Sequence, residues 1–124
     1  MNIEIQGLPD YSIDEVKSII EDYIKEIIDR YNLDAEIIDI ELHGSRLRGT
    51  ARKDSDLDVV VEYVGNERED DMFNILNDDE DRLYIEHIKV DINPIREEET
   101  GNMKDYMIKS KKYDKEILNE NKNF

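Results

Sequence analysis

Residues 42–61 read LHGSRLRGTARKDSDLDVVV, and this stretch decides the fold. Its last part, Asp56–Val61, alternates acidic and apolar residues and then becomes wholly apolar. That pattern predicts a buried β-strand, which continues to Tyr63. The first residue of the stretch completes a second alternating segment, Glu36–Leu42, in which Ile38 is expected on the apolar face. The sequence therefore predicts two strands joined by a polar turn that contains glycine.

A long amphipathic helix is predicted before these strands. Ser12 and Glu15 have the spacing of a capping box, in which each side chain bonds the backbone N–H of the other residue. Apolar residues then recur at intervals of three and four as far as Tyr31, and Asn32 suits the helix end. The short alternating segment Asn2–Gln6 predicts an edge strand ahead of the helix.

An acidic connection, Glu67–Asp81, follows the central strands. We interpret it as a solvated loop, with a partner surface or a lid as alternatives, and a short helix is predicted over Asp70–Leu76. Tyr84–Ile92 predicts a third strand, which Pro94 is expected to end. Weak helical periodicity in residues 102–120 predicts a C-terminal helical tail. We interpret its lysines as a solvated face, and the alternative is that they face the candidate site.

The order of these elements predicts the α+β class, with a small mixed β-sheet covered on one face by helices. The chain has 124 residues, which fits a single domain over residues 1–124 with a core at about residues 12–95. No internal repeat or linker interrupts it. This length leaves little room for a second domain that would recognise a substrate.

The charge of the chain limits its partners. Asp and Glu number 33 against 17 Lys and Arg, so the net charge is −16 at pH 7. Such a field repels nucleic-acid phosphates and anionic membrane surfaces, and it suits divalent cations or a basic protein partner. The sequence contains no cysteine, no secretory signal within Met1–Asp10 and no apolar run long enough to span a bilayer. We therefore expect a cytoplasmic protein without disulfides or a thiol nucleophile.

Two carboxylates separated by one residue mark the second strand. Residues i and i+2 of a strand point to the same face, so Asp56 and Asp58 share one side. Buried carboxylates at this spacing repel each other unless a cation bridges them, and oxygen ligands suit a pair of Mg²⁺ ions. Asp91, on the polar side of the third strand, completes the cluster if the two strands are neighbours. Solvated carboxylates are the alternative for all three.

The turn before these acids has the composition of a phosphate site. Gly44 allows the backbone to approach a bulky anion, and Ser45 with the amides after it can donate hydrogen bonds to phosphate oxygens. Basic residues are concentrated beside this turn: Arg46, Arg48, Arg52 and Lys53. We expect Arg46 or Arg48 to contact phosphate, and the alternative is that they balance nearby acids. His43 is interpreted as structural.

These motifs together resemble a known superfamily. Gly44-Ser45, ten intervening residues, Asp56-x-Asp58 and a later third acid, Asp91, form a pattern similar to that of the polymerase-β-like nucleotidyltransferases. The local pattern GSRxRGTARxxSDxD resembles that of the small prokaryotic minimal nucleotidyltransferases. The resemblance covers about residues 12–95 and implies the nucleotidyltransferase fold.

The resemblance implies a reaction and roles for these residues. The reaction is attack by an acceptor hydroxyl on the α-phosphate of ATP or another nucleoside triphosphate (NTP), with release of pyrophosphate. Gly44 and Ser45 would hold the triphosphate. Asp56 and Asp58 would bind two Mg²⁺ ions, and Asp91 would bind one of them and favour deprotonation of the acceptor.

The acceptor has several alternatives. Minimal nucleotidyltransferases often pair with a helical ribonuclease toxin of the HEPN type, so the resemblance favours transfer of AMP to a protein partner in a toxin–antitoxin-like pair. Transfer to a small molecule such as an antibiotic, and a non-catalytic binding module that retains the fold, are the alternatives. A template-copying polymerase is disfavoured by the small size and the negative charge. The sequence leaves dimer formation open.

Overall fold

A computed structural model of the protein describes residues 4–110. The helices are α1 (Ile13–Tyr31), α2 (Ser45–Arg48) and α3 (Glu69–Leu76), and the strands are β1 (Glu36–His43), β2 (Leu57–Val64), β3 (Tyr84–Ile85) and β4 (Ile88–Ile95). Residues 103–110 are also helical. Among the helices within this described part of the chain, none is both long and apolar enough to cross a membrane.

The predicted capping box begins α1. The backbone N–H of Glu15 donates to Oγ of Ser12 at 3.0 Å, and the backbone N–H of Ser12 donates to Oε1 of Glu15 at 3.2 Å. Asn32 ends the helix in the left-handed conformation, with φ 51°. The apolar stripe between these ends is buried in the main core: Val16, Ile20, Ile24 and Ile27. The helix therefore covers one face of the sheet, as its periodicity predicted.

The four strands form one mixed sheet in the order β1-β2-β4-β3. β2 is antiparallel to β1 and parallel to β4, and β3 is antiparallel to β4. Side chains alternate between the two faces, so Leu57, Val59 and Val61 enter the main core under α1. Asp58 and its register partners, His43 on β1 and Asp91 on β4, point to the opposite face. The predicted α+β class with a mixed sheet is confirmed.

The predicted third strand, Tyr84–Ile92, is instead a hairpin. Glu86 has a left-handed φ of 55°, and the chain reverses around it so that Ile85 pairs with Ile88. The sequence does not signal this reversal, because neither glycine nor asparagine occupies the left-handed position. The two-residue strand β3 and the eight-residue strand β4, paired antiparallel, therefore replace the single predicted strand.

Pro94 does not end β4, which continues to Ile95. The N–H groups of Val90 and Ile92 point away from β2 and donate to Leu83 and Asn77. Because N–H directions alternate along a strand, the position of Pro94 also faces away from β2. The missing N–H of the proline therefore removes no hydrogen bond of the parallel pairing.

Two other predictions about strand residues are wrong. Ile38 is 53% exposed, because the register of β1 against β2 shifts between Ile37 and Asp39 and this bulge turns Ile38 away from the core. In the predicted edge strand Asn2–Gln6, residues 4–6 are not in a strand, and residues 1–3 lie outside the described residues. Ile5 is nevertheless fully buried in the main core.

A smaller apolar cluster lies on the opposite face of the sheet. Val60 and Ile95 pack there against Met103, and Oε1 of Glu62 accepts a hydrogen bond from the backbone N–H of Met103 at 2.7 Å. Met103 begins the helical segment 103–110, which is the first part of the predicted tail. The rest of that prediction falls on residues outside the described part. This segment therefore lies on the sheet face that carries Asp58.

Candidate active site

The segment between β1 and β2 begins at a position that requires glycine. Gly44 has φ 92° and ψ −166°, a conformation that is essentially restricted to glycine. A Cβ atom at this position would overlap Oδ2 of Asp58 and would lie 3.2 Å from the Asp58 Cβ. The main chain of Gly44 therefore packs directly against the Asp58 carboxylate, and α2 begins at the next residue.

The structure brings the predicted acids to one region. Asp58 lies on β2 and Asp91 lies opposite it on β4, in register, so their side chains project from the same face of adjacent strands. Strand neighbours are about 4.8 Å apart, which brings the two carboxylates within the reach of a shared cation. Asp56 is half-buried and lies just before the first residue of β2.

The electrostatic environment of Asp58 reflects this crowding. Burial raises the pKa of the Asp58 carboxyl above its ordinary value, and the negative charges of Asp91 and Asp56 raise it further. His43 and the positive charge of Arg48 act in the opposite direction on the pKa of Asp58. Ionisation of Asp58 in the folded protein therefore costs free energy, and a bound cation would offset that cost.

Arg46 lies in a different place from that expected of a phosphate contact. Its side chain is buried, with the residue only 4% exposed. Its guanidinium donates to the backbone carbonyl of Gln6 at 2.7 Å and to that of Ser55 at 2.7 and 3.0 Å, with a longer bond to Lys53 at 3.4 Å. Arg46 therefore ties the loop between α2 and β2 to the N-terminal segment, and we replace its predicted phosphate role with a structural one.

We expect Arg46→Ala to destabilise the fold strongly. The substitution leaves buried carbonyls without donors and removes a well-packed side chain, which costs about 2–4 kcal/mol of the free energy of unfolding. Urea denaturation of the variant and of Arg52→Ala, whose side chain is exposed, measures the difference. Equal stability of the two variants would contradict a structural role for Arg46.

The remaining predicted phosphate residues lie on α2. Ser45 is half-buried at its first position, and Arg48 is exposed at its last. The positive charge of Arg48 offsets part of the increase in the pKa of Asp58, so the charge of Arg48 acts on the carboxylates. Arg52 and Lys53 are exposed on the loop that Arg46 holds.

Arg82 lies against Asp91, the third acid of the candidate site. The sequence motifs did not identify it. Its Nη2 atom donates to Oδ1 of Asp91 at 3.0 Å. The one signal available was a basic residue directly after the acidic run at positions 78–81. That signal could not specify which carboxylate the arginine meets.

His43 is more closely associated with the site than its structural interpretation implied. It pairs with Asp58 in register, and its ring meets that of Tyr106 edge to face, with centroids 6.1 Å apart. The Tyr106 hydroxyl accepts a hydrogen bond from Nδ2 of Asn93 at 3.1 Å, and Asn93 follows Asp91 by two residues on the same face. The helical segment 103–110 therefore borders the carboxylates.

The donor set suits a hard divalent cation. Carboxylate oxygens are the ligands that Mg²⁺ prefers, and the absence of a side chain at Gly44 avoids a collision with the Asp58 carboxylate. Within residues 4–110, no three acidic or histidine side chains are already gathered closely enough to enclose an ion. Asp56, Asp58 and Asp91 are nonetheless the side chains that would hold it, since Asp58 and Asp91 lie in register on adjacent strands and the charge of Asp56 acts on Asp58.

Comparison with known proteins identifies the family. The family model for the nucleotidyltransferase domain matches residues 20–121, which include Gly44, Ser45 and all three acids. Searches among curated proteins and among solved structures gave no match. Because the family match covers well over half of the chain and the chain has a mixed sheet with the α+β arrangement, this protein belongs to the nucleotidyltransferase domain family.

Proposed function

We propose that this protein is a Mg²⁺-dependent nucleotidyltransferase that transfers the NMP group of an NTP, with ATP favoured, to an acceptor hydroxyl on a protein. The observation that carries the proposal is the register of Asp58 with Asp91 on adjacent parallel strands, beside a glycine whose main chain touches Asp58. In this proposal Asp56, Asp58 and Asp91 hold two Mg²⁺ ions. Gly44, Ser45 and Arg48 lie on the triphosphate side.

The proposed reaction is a single displacement at phosphorus. The acceptor oxygen forms a bond to the α-phosphorus, and the bond from that phosphorus to the oxygen bridging the β-phosphate breaks, so that pyrophosphate leaves with the electron pair. Asp91 accepts the proton of the acceptor hydroxyl as the new bond to phosphorus forms. Bound Mg²⁺ would supply charge neutralisation for the phosphates. The protein contributes position and electrostatics, so the site needs no covalent nucleophile.

The charge of the protein supports a protein acceptor. A net charge of −16 repels nucleic acids and attracts basic protein surfaces. A toxin of the HEPN type in a toxin–antitoxin-like pair is the partner class that we favour. Transfer to a small molecule, and contact without catalysis, are the two outcomes that would replace it.

The fate of the label from an NTP tests the proposal. The purified protein is incubated with each common NTP labelled at the α-phosphate, Mg²⁺ and a lysate of the source cell. Parallel samples contain a chelator, the double variant Asp56→Asn/Asp58→Asn, or Asp29→Asn, which removes an exposed carboxylate of α1. We expect a labelled protein band that only the chelator and the double variant remove.

The other outcomes each change the proposal. Label on a small molecule alone would overturn the protein acceptor and keep the chemistry. No transfer from any NTP, together with no Mg²⁺-dependent NTP binding, would overturn the enzymatic function. Label that survives in Asp56→Asn/Asp58→Asn would overturn the assignment of the carboxylates.

A further inference from the structure

The contact between Arg82 and Asp91 is built from several directions. In addition to the bond to Asp91 at 3.0 Å, Nε of Arg82 donates to the carbonyl of Val90 and Nη1 to that of Asn77, both at 3.4 Å. The Arg82 side chain is 12% exposed, whereas that of Asp91 is 39% exposed. The guanidinium is therefore enclosed and oriented before it meets the carboxylate, which remains accessible from the solvent.

The strand segment that carries Asp91 is fixed from the same side. The Asn77 side chain donates to the Ile92 carbonyl at 2.8 Å and accepts from the Ile92 N–H at 3.0 Å. Asn77 is the C-terminal cap of α3, and Arg82 lies in the connection that follows. Asn77 holds the backbone of β4, and Arg82 holds the side chain that lies next to Asp58 in the sheet.

We infer that Arg82 is a positioning residue that orients the Asp91 carboxylate for the divalent cation. This inference rests on the proposed function. Asp58 and Asp91 are like charges on adjacent strands, so without a cation the Asp91 side chain would be driven towards the solvent. The Arg82 guanidinium offsets that repulsion and, by binding one oxygen of Asp91, restricts the rotation of the carboxylate. Arginine suits this task because its planar fork fixes the direction of its hydrogen bonds.

The inference predicts that loss of Arg82 weakens cation binding even though Arg82 itself carries a positive charge. Groups that orient metal ligands typically contribute a factor of about 10–100 to metal affinity. A guanidinium that instead competed with the cation for Asp91 would have the opposite effect, because its removal would strengthen binding. The direction of the change therefore distinguishes orientation from competition.

The experiment measures Mn²⁺ affinity by electron paramagnetic resonance, in the full-length protein and without turnover. The matched control is Arg96→Ala, which changes the net charge by the same amount. Arg96 directly follows the last residue of β4, and its side chain is 16% exposed and paired with Glu99. We expect Arg82→Ala to bind Mn²⁺ about 10- to 100-fold more weakly than Arg96→Ala does. Arg82→Lys should fall between Arg82→Ala and the wild type, and it provides the test if the alanine variant does not fold.

A double-variant cycle separates a positioning role from a general structural one. If Arg82 acts through Asp91, Arg82→Ala should cause no further loss of Mn²⁺ affinity in an Asp91→Asn background. A full additional loss in that background, or an affinity of Arg82→Ala equal to or tighter than that of Arg96→Ala, would overturn the inference. If the wild type binds Mn²⁺ no more tightly than Asp58→Asn does, the proposed function fails together with it. Loss of affinity in Asp58→Asn but not in Arg82→Ala would overturn only the role of Arg82.

Discussion

Asp58→Asn is expected to reduce nucleotidyl transfer by about 10³-fold or more. Asp58 lies on β2, in register with Asp91 on the adjacent strand β4. Loss of a proposed metal ligand removes several kcal/mol of charge stabilisation in the transition state, and each increment of about 1.4 kcal/mol corresponds to a factor of ten in rate. The initial rate of label transfer at saturating Mg²⁺ measures the effect.

The same variant is expected to be at least as stable as the wild type when Mg²⁺ is absent. Burial and the neighbouring acids raise the pKa of Asp58 in the folded state above its ordinary value of 3.8. The unfolded chain therefore loses this proton at lower pH than the folded protein does, and stability falls as the pH rises through the folded-state pKa. Asparagine removes that penalty, so its advantage should be seen at neutral pH and should disappear below about pH 3.8.

Thermal unfolding at several pH values, with Asp29→Asn as the control, measures this advantage. A marked loss of stability in Asp58→Asn at neutral pH would contradict the account of the site as a cluster of repelling carboxylates. Retention of wild-type transfer by Asp58→Asn would contradict its place in the active site. The two measurements together distinguish loss of chemistry from loss of fold.

Gly44→Ala is expected to impair both the fold and the activity. The backbone at Gly44 is in a region that costs other residues about 1–3 kcal/mol, and the added methyl group would collide with the Asp58 carboxylate. Relief of the collision requires movement of Asp58 or of the strand end. We therefore expect a loss of about 1–3 kcal/mol in the free energy of unfolding and at least about a 100-fold loss of transfer, because small displacements of reacting groups are costly.

Gly49→Ala is the matched control for this substitution. Gly49 also has a positive φ, 75°, but a Cβ atom there would have no neighbour within 4 Å. Its variant should therefore show only the backbone cost of the left-handed conformation, about 1 kcal/mol, and should retain transfer. Urea denaturation and the label assay compare the two variants. Similar rates of transfer by Gly44→Ala and Gly49→Ala would show that the close approach of Gly44 to Asp58 is not needed for activity.

Arg46 and Arg82 show how differently one residue type is used in this small domain. Arg46 is enclosed and donates to backbone carbonyls that hold the loop between α2 and β2. Arg82 is directed to the side chain of Asp91. In a chain with such an excess of acid, each arginine had many alternative partners. The position of the backbone around each guanidinium, not its sequence neighbours, selects the partner.

The sequence by itself determined the features that depend on contacts within a few residues. The capping box of Ser12 and Glu15 and the apolar period behind it specify α1, because helical hydrogen bonds and faces repeat within four positions. The alternation after Asp56 specifies β2 and places Asp58 on the face opposite Val59. Gly44-Ser45, Asp56-x-Asp58 and the later Asp91 were also enough to indicate a resemblance that the family match supports.

Only the tertiary structure decided how distant segments meet. The turn at Glu86 and the bulge at Ile38 lack local signals, because neighbouring strands impose them and side-chain preference does not. The register that places Asp91 beside Asp58 follows from the packing of β4 against β2 across 33 residues of chain, a contact that no short pattern specifies. An arginine side chain is long and flexible, so it can reach any of several acceptors around it. The backbone positions in the folded protein decide which acceptor it meets: backbone carbonyls for Arg46 and the Asp91 carboxylate for Arg82.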